Sequence, residues 1–218
     1  MKIAIIGQAA FGKEVLIKLI ENGEIVSAVI CPPDDGNSFD PIKQTAISNG
    51  IDVFQYERMR STSAIKEYIS LDIDLCVMAF VTDIVPMEIL TAPTFGTIQY
   101  HPSLLPQHRG PSSINWPIIK GEEQTGLTIF WPDEGLDTGP ILLQKEVEIT
   151  PEDTLGSLYF GKLFPLGVDA ILEAVQLVKR NKAPKIDQNQ NHNRLRSTRT
   201  QSRYDRPARD KERIPVAR

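Results

Sequence analysis

The 218-residue chain has few of the residues that build disulfide frameworks and metal centres, since it contains only two cysteines and three histidines. Cys31 and Cys76 lie at or near strand-like segments, where free thiols behave as small buried hydrophobic groups. No Cys/His spacing typical of a metal site occurs, and we expect no metal ion. Free thiols suit a reducing compartment, so we expect the chain to be cytoplasmic.

Long apolar segments are also missing. No run of 18 or more apolar residues occurs, so we expect no transmembrane helix and no membrane contact. The N-terminal run MKIAIIGQAAFG ends in glycines and lacks a signal-peptide cleavage site, which favours a first β-strand. Hydrophobic residues still make up 41% of the chain, which is enough for a folded core.

Positive charge is scarce in most of the chain and concentrated at its end. Residues 191–218 contain nine Lys+Arg and three Asp+Glu, whereas residues 1–190 contain 15 Lys+Arg and 25 Asp+Glu. An acidic body is not typical of a dedicated nucleic-acid-binding protein. The segment 191–218 has no periodic apolar face, so we predict that residues 187–218 form a basic, disordered tail behind a domain of residues 1–186.

Short apolar runs alternate with segments of helical periodicity along the predicted domain. The strand-like segments are residues 2–7, 25–31, 51–54, 73–79, 97–101, 125–131 and 141–149. The last two have no crossover helix between them, which predicts antiparallel pairing at one edge. A long helix is predicted over residues 154–180, with a kink near Pro165. The alternation predicts an α/β fold with a Rossmann-like, doubly wound, mostly parallel sheet and an antiparallel edge.

The turn after the first predicted strand contains Gly7 and Gly12. Because these glycines are five residues apart, the dinucleotide-binding pattern G-x-G-x-x-G is not met. The glycines therefore indicate tight packing between strand and helix, and we expect no dinucleotide cofactor.

Three polar side chains are candidates for an active site. His101 stands where a strand gives way to a loop, and Gln99 precedes it on the same strand face. Asp137 lies in a second irregular segment, DEGLDTGP (residues 133–140). An amide, an imidazole and a carboxylate can together activate a nucleophile and stabilise an oxyanion in acyl transfer.

Other interpretations of the same residues stay open on this evidence. Ser103 would complete a Ser-His-Asp triad, but it lacks a G-x-S-x-G elbow and is expected to hydrogen-bond its own loop backbone. His101 alone is also typical of a structural histidine, and Asp137 of a turn residue.

Two motifs resemble those of the formyltransferase family, which uses 10-formyltetrahydrofolate. They are HPSLLPQHRG (residues 101–110) and GLDTG (residues 135–139), and the likeness runs from Met1 to about residue 186. The resemblance implies a Rossmann-like fold and an enzyme that uses 10-formyltetrahydrofolate as formyl donor. It also implies that His101 and Asp137 are catalytic.

The resemblance further implies a pterin pocket. Its residues in this chain are Phe80, Val81, Asp83, Ile84, Gly135 and Leu136. Within the family, the likeness is greatest to the N-terminal hydrolase domain of 10-formyltetrahydrofolate dehydrogenase. Segments that carry this likeness are MKIAIIGQ (1–8), IVPMEI (84–89), INW (114–116), IFW (129–131) and LFP (163–165). Members that transfer formyl to an amine usually have Asn where this chain has Gln99. Gln keeps the amide group but adds a methylene, which displaces that group relative to the amide of Asn.

The formyl acceptor is not specified by the residues. Water or a small amine is expected, and the alternatives are methionyl-tRNA, a sugar amine, or no reaction at all in a folate-binding module. Methionyl-tRNA formyltransferases usually add a C-terminal β-barrel, and nothing after residue 186 resembles a folded domain. Retention of both His101 and Asp137 favours an enzyme.

Overall fold

Seven strands form one mixed sheet in the order β3-β2-β1-β4-β5-β6-β7. The strands are β1 (Lys2–Gly7), β2 (Ile25–Cys31), β3 (Asp52–Gln55), β4 (Leu75–Ala79), β5 (Thr97–His101), β6 (Gln124–Phe130) and β7 (Ile141–Glu148). The helices are α1 (Ala9–Glu21), α2 (Pro41–Ser48), α3 (Thr62–Ser70), α4 (Met87–Leu90), α5 (Asn115–Ile119), α6 (Leu155–Leu158) and α7 (Phe164–Lys179). The computed structural model describes residues 1–34, 36 and 39–188, and Met1–Gln188 forms one compact unit.

Pairing within the sheet confirms the predicted fold class. Strands β3, β2, β1, β4 and β5 run parallel, while β6 and β7 are antiparallel to their neighbours. Strand order reverses between β1 and β4, because the chain adds strands on one side of β1 and then returns to the other. Ligands of open α/β sheets bind in the crevice at such a reversal, beyond the carboxyl ends of the strands.

Each face of the sheet has its own apolar core. One face packs against α1 and α7, and its strand residues include Ile5, Val77, Ile98 and Tyr100. The other face packs against α3 and α4 and includes Ile6, Met78 and Cys76. Because side chains alternate along a strand, Gln99 and His101 lie on the α3/α4 face of β5.

The glycine turn after β1 serves packing, as predicted. A Cβ atom on Gly7 would lie 2.6 Å from the carbonyl oxygen of Ala79, so β1 approaches β4 too closely for a side chain. The next backbone N–H groups belong to the first turn of α1. Ala9 donates its N–H to both carboxylate oxygens of Asp40, at 3.0 and 2.9 Å. The carboxylate of Asp40 therefore already occupies the anion-binding position at the N-terminus of α1.

A kink is predicted near Pro165 in the long C-terminal helix, and the structure has a π-helical turn just before this residue. A π-helical segment, Tyr159–Leu163, joins α6 to α7, and Phe164 donates its N–H to the carbonyl of Tyr159. Proline has no N–H to donate and its ring crowds the carbonyl four residues earlier, which disfavours an ordinary α-helical turn here.

The same helical stretch, Leu155–Lys179, is 25 residues long and apolar enough to cross a membrane by length and composition alone. The expectation from apolar runs did not include it, because short polar interruptions divide the stretch in the sequence. One face of α7 is buried in the core shared with α1.

The predicted tail of residues 187–218 falls almost entirely outside the described residues. Only Asp187 and Gln188 are described, and both belong to the same compact unit as the domain before them.

Burial makes the two thiols poor nucleophiles. It raises the pKa of Cys31 to about 11, with the Asp40 carboxylate adding to the effect. Burial also raises the pKa of Cys76 to about 11. Because only the thiolate reacts, we expect alkylation by iodoacetamide at pH 8 to be about 100-fold slower in the native protein than in urea.

Mass spectrometry of the alkylated protein measures this difference, and the urea-unfolded chain is the control. Rapid labelling of native Cys76 at pH 8 would contradict the assignment of that residue to a dry core.

Candidate active site

His101 ends β5 and is almost completely buried, with 6% of its surface exposed. Its Nε2 atom lies 2.9 Å from the carbonyl oxygen of His108. A carbonyl accepts hydrogen bonds only, so Nε2 carries a proton and donates it. The nitrogen left for other chemistry is Nδ1, on the side of the ring that faces Asp137.

The loop after His101 is held by buried hydrogen bonds. Ser103 donates to the carbonyl of Gln107 at 2.6 Å, which confirms the predicted backbone role. Thr128 on β6 donates to the carbonyl of Ser103 at 2.7 Å and accepts from the N–H of Leu105 at 3.1 Å. The hydroxyl of Thr128 therefore fixes the loop to the neighbouring strand, directly opposite His101.

Asp137 reaches His101 from the loop between β6 and β7. The register pairs Phe130 with Gln99, so this loop leaves the sheet beside β5 and folds back toward the carboxyl end of that strand. The turn is closed by Asp133, which accepts from the N–H of Gly135 at 3.0 Å and the hydroxyl of Thr138 at 2.6 Å.

The side chains of His101 and Asp137 lie together, as the paired motifs predict. Oδ2 of Asp137 is 3.4 Å from Nδ1 of His101 and accepts the N–H of Gly110 at 2.8 Å. Asp137 is 8% exposed and adopts a φ of 54°, a left-handed conformation that residues other than Gly, Asn and Asp rarely adopt. Its other oxygen, Oδ1, accepts no hydrogen bond from the described residues.

Gln99 is half-buried on the same strand face as His101. Its carboxamide makes no hydrogen bond to any residue in the described part of the chain. This amide is not committed to the fold and is therefore available to a ligand.

Four residues predicted to line a pterin pocket follow β4. Phe80 is 46% exposed with a φ of 62°, Val81 packs on the α3/α4 core, and Ile84 is 71% exposed. The carboxylate of Asp83 is engaged on both oxygens, by the N–H of Met59 and by the N–H of Ile84, each at 2.8 Å. Asp83 thus shapes the loop after β4.

The remaining two predicted pocket residues, Gly135 and Leu136, lie in the Asp137 loop. Leu136 is 67% exposed, and its Cδ2 atom is 3.1 Å from where a Cβ atom on Gly110 would lie. The glycine therefore lets the two loops approach. Exposed apolar side chains thus occur on both loops that flank the His101–Asp137 pair.

A cleft of about 230 Å³ opens at the reversal of strand order between β1 and β4. Its lining contains Phe80, Val81 and Asp83, together with Gln8 and Glu57, but not His101 or Asp137. None of its described lining residues is Lys or Arg. Tyr56 also lines the cleft, and burial, with a contribution from Glu67, raises the pKa of its hydroxyl well above the usual range.

Several residues that build the site are not apparent in the sequence. His108, whose ring lies 2.9 Å from Glu122, resembles an ordinary loop residue. Gln188 lies in the predicted tail, yet its side chain reaches the Asp137 loop. One usable signal was Thr128, a polar residue within the apolar run TGLTIF. Among the described residues, no group of three His, Cys, Asp or Glu side chains could hold a metal ion.

Comparison with known proteins identifies the family of the chain. Residues 1–174 match the sequence profile of the family described as Formyl transferase. The chain belongs to the formyltransferase family. The resemblance based on the two motifs is thereby confirmed, and the matched residues include both of them.

Individual relatives agree with this. The chain is 45% identical over 193 residues to the cytosolic 10-formyltetrahydrofolate dehydrogenase of Homo sapiens, which covers 86% of the chain and 21% of that protein. It is 37% identical over 195 residues to the methionyl-tRNA formyltransferase of Alkaliphilus oremlandii, covering 87% and 63%. The chain thus spans about a fifth of the length of the dehydrogenase.

A solved structure shows the same fold. Glycinamide ribonucleotide transformylase 1 from Symbiobacterium toebii has a TM-score of 0.74 to this chain, over 86% of the chain and 94% of that structure. The sequence identity is 21%, so this likeness concerns the fold.

Gly139 closes the Asp137 loop where no side chain fits. A Cβ atom there would lie 1.8 Å from the carbonyl oxygen of Trp131. We expect Gly139→Ala to lower the free energy of unfolding by about 3 kcal/mol, since the backbone must move. Urea unfolding measures the change. The control is Gly161→Ala, where no atom lies within 4 Å of the added Cβ and stability should be unchanged or slightly higher. Equal stability of the two variants would contradict the close approach.

Proposed function

We propose that this chain removes or transfers the formyl group of 10-formyltetrahydrofolate, with water as the favoured acceptor. The observation that carries the proposal is the buried His101–Asp137 pair, 3.4 Å apart, in a chain of the formyltransferase family. The second support is the 45% identity to human 10-formyltetrahydrofolate dehydrogenase over most of this chain.

Asp137 acts on the nucleophile. Oδ2 is held by Gly110 and faces His101, so Oδ1 is the oxygen that orients the attacking water or amine and takes its proton. With water, a C–O bond forms at the formyl carbon and the bond to N10 breaks. N10 takes a proton, and the products are formate and tetrahydrofolate.

His101 acts on the other side of the formyl group. Because Nε2 donates to the His108 carbonyl, Nδ1 is the nitrogen that faces the reacting atoms. Protonated at Nδ1, His101 stabilises the oxyanion of the tetrahedral intermediate and supplies the proton for the leaving N10. Gln99 is the further donor to the oxyanion. It has one methylene more than Asn, so His101 carries the larger part of this stabilisation.

The folate binds next to this pair. The exposed side chains of Phe80, Ile84 and Leu136 supply apolar surface for the pterin, and Val81 and Gly135 supply backbone beside it. Asp83 contributes by fixing the loop after β4, since both of its oxygens already accept backbone hydrogen bonds.

The charge distribution favours water over a phosphorylated acceptor. The cleft beside β1 and β4 has Glu57 and Asp83 in its lining, with no Lys or Arg among its described lining residues. The N-terminus of α1 is already neutralised by Asp40. A phosphate or nucleotide group in this cleft would meet negative charge.

We further propose a cytoplasmic location. Its support is the pair of buried free cysteines, which suit a reducing compartment.

The acceptor is tested by incubating the full chain with 10-formyltetrahydrofolate, with and without methionyl-tRNA. We expect formate and tetrahydrofolate to form in equal amounts without any amine. The absorbance change of the folate measures the reaction. Strict dependence on methionyl-tRNA would make the chain a tRNA formyltransferase. No turnover with water, methionyl-tRNA or an amino sugar would contradict the proposed reaction.

The roles of the two residues are tested by Asp137→Asn and His101→Ala. We expect each to lower kcat for formyl release by about 100-fold or more, with binding of tetrahydrofolate retained. Glu134→Gln is the matched control, because it removes an exposed carboxylate from the same loop. Turnover near that of the wild type in Asp137→Asn or His101→Ala would overturn the corresponding role.

A further inference from the structure

Gln188 is delivered to the site by a short segment after α7, residues 182–188, which we call the C-terminal strap. Trp131 donates its indole N–H to the carbonyl of Pro184 at 2.9 Å. Ile186 exchanges two backbone hydrogen bonds with Ile141 at the start of β7, of 2.7 and 2.9 Å. The strap therefore runs beside the ends of the Asp137 loop, at Trp131 and Ile141. In the sequence it follows the residues matched by the family profile, which end at residue 174.

The carboxamide of Gln188 is fully used. Nε2 donates to the carbonyl of Asp137 at 3.0 Å and to the carbonyl of Gly139 at 2.7 Å. Oε1 accepts from Arg109, at 3.0 Å from Nε and 2.6 Å from Nη2. Both N–H groups and both lone pairs of the amide thus have partners, and the side chain is buried.

These contacts close a ring around Asp137. Arg109 is followed directly by Gly110, whose N–H donates to Oδ2 of Asp137. The carboxylate of Asp137 is thus tied to one loop through Gly110. The backbone carbonyl of Asp137 is connected to the same loop by hydrogen bonds through Gln188 and Arg109. Asp137 is fixed at both its side chain and its backbone.

The backbone of Asp137 needs such support. Its φ of 54° lies in the left-handed region, and strained residues persist only where neighbouring contacts determine their conformation. Two carbonyls of this turn, those of Asp137 and Gly139, point at one donor group. Rotation of the Asp137 peptide would break the contact with Gln188 and turn the carboxylate away from His101.

We propose that Gln188 is a positioning residue for the formyl reaction, holding the Asp137 carboxylate toward His101 through the ring formed with Arg109. The inference rests on the proposed role of Asp137. Gln188 itself need not touch the folate.

Two variants of the full chain separate the halves of the ring. Gln188→Glu keeps an acceptor for Arg109 but loses the donor to the two carbonyls, and its carboxylate repels them. Gln188→Ala loses both halves. We expect both variants to lower kcat by about 10-fold or more, with KM for 10-formyltetrahydrofolate changed by less than about threefold. Asp187→Ala is the control, since it alters an exposed neighbour in the strap and should leave kcat unchanged.

A double-mutant cycle distinguishes positioning from a general role in holding the strap. If Gln188 acts through Asp137, Gln188→Glu should lower the residual rate of Asp137→Asn by less than about twofold. An equal loss in both backgrounds, or wild-type kcat in both Gln188 variants, would overturn the proposal.

A second measurement does not depend on turnover. The amide of Gly110 contacts Asp137 and not Gln188, so loss of its hydrogen-exchange protection in Gln188→Glu reports the ring directly. We expect its exchange to be about 10-fold faster, against no change in Asp187→Ala. If Gln188→Glu exchanges faster but the wild-type chain shows no formyl turnover, the ring is retained and the proposed reaction is rejected. If the wild-type chain turns over but exchange in Gln188→Glu is unchanged, the role of the ring is rejected and the proposed reaction is retained.

Discussion

One carboxylate oxygen joins the two loops of the site. Oδ2 of Asp137 lies against Nδ1 of His101 and accepts the N–H of Gly110, so it contacts the start and the end of the first motif. These residues arrive from different strands, and the sheet alone does not bring them together. The loop after β5 must be fixed by Thr128, and the loop after β6 must fold back toward the carboxyl end of β5.

The strands and helices were largely predictable because each has a local cause. The second strand was predicted with the bounds observed for β2, since a largely apolar and mostly buried run ends there at Pro32. The helix α3 begins with an N-cap of the expected residue type, because the hydroxyl of Ser61 accepts the N–H of Ala64. The fourth strand was predicted two residues early, because Ile73 is buried without pairing in the ladder. A buried residue just before a strand and a buried residue within it look alike in the sequence, so the apolar pattern does not show where strand pairing begins.

The site was predictable only where a motif marks it. His101 and Asp137 lie together as their motifs imply, whereas their supports are single polar residues without periodicity. Gln188 follows Asp137 by 51 residues, in a segment whose composition resembles a solvated terminus. Its importance comes from where the strap ends, and that depends on backbone pairing between Ile186 and Ile141. Such pairing leaves no trace in local composition.

The outer strand of the antiparallel pair has a consequence for solubility. β7 is an edge of the sheet, and an open edge offers unpaired N–H and C=O groups to strands of other molecules. Here the strap pairs with Ile141 at its beginning, and Lys145, Glu146 and Glu148 line the remainder. Charged side chains on an edge strand disfavour extension of the sheet by a strand from a second copy of the chain. The segment that orders the site thus also shortens the edge on which aggregation would begin.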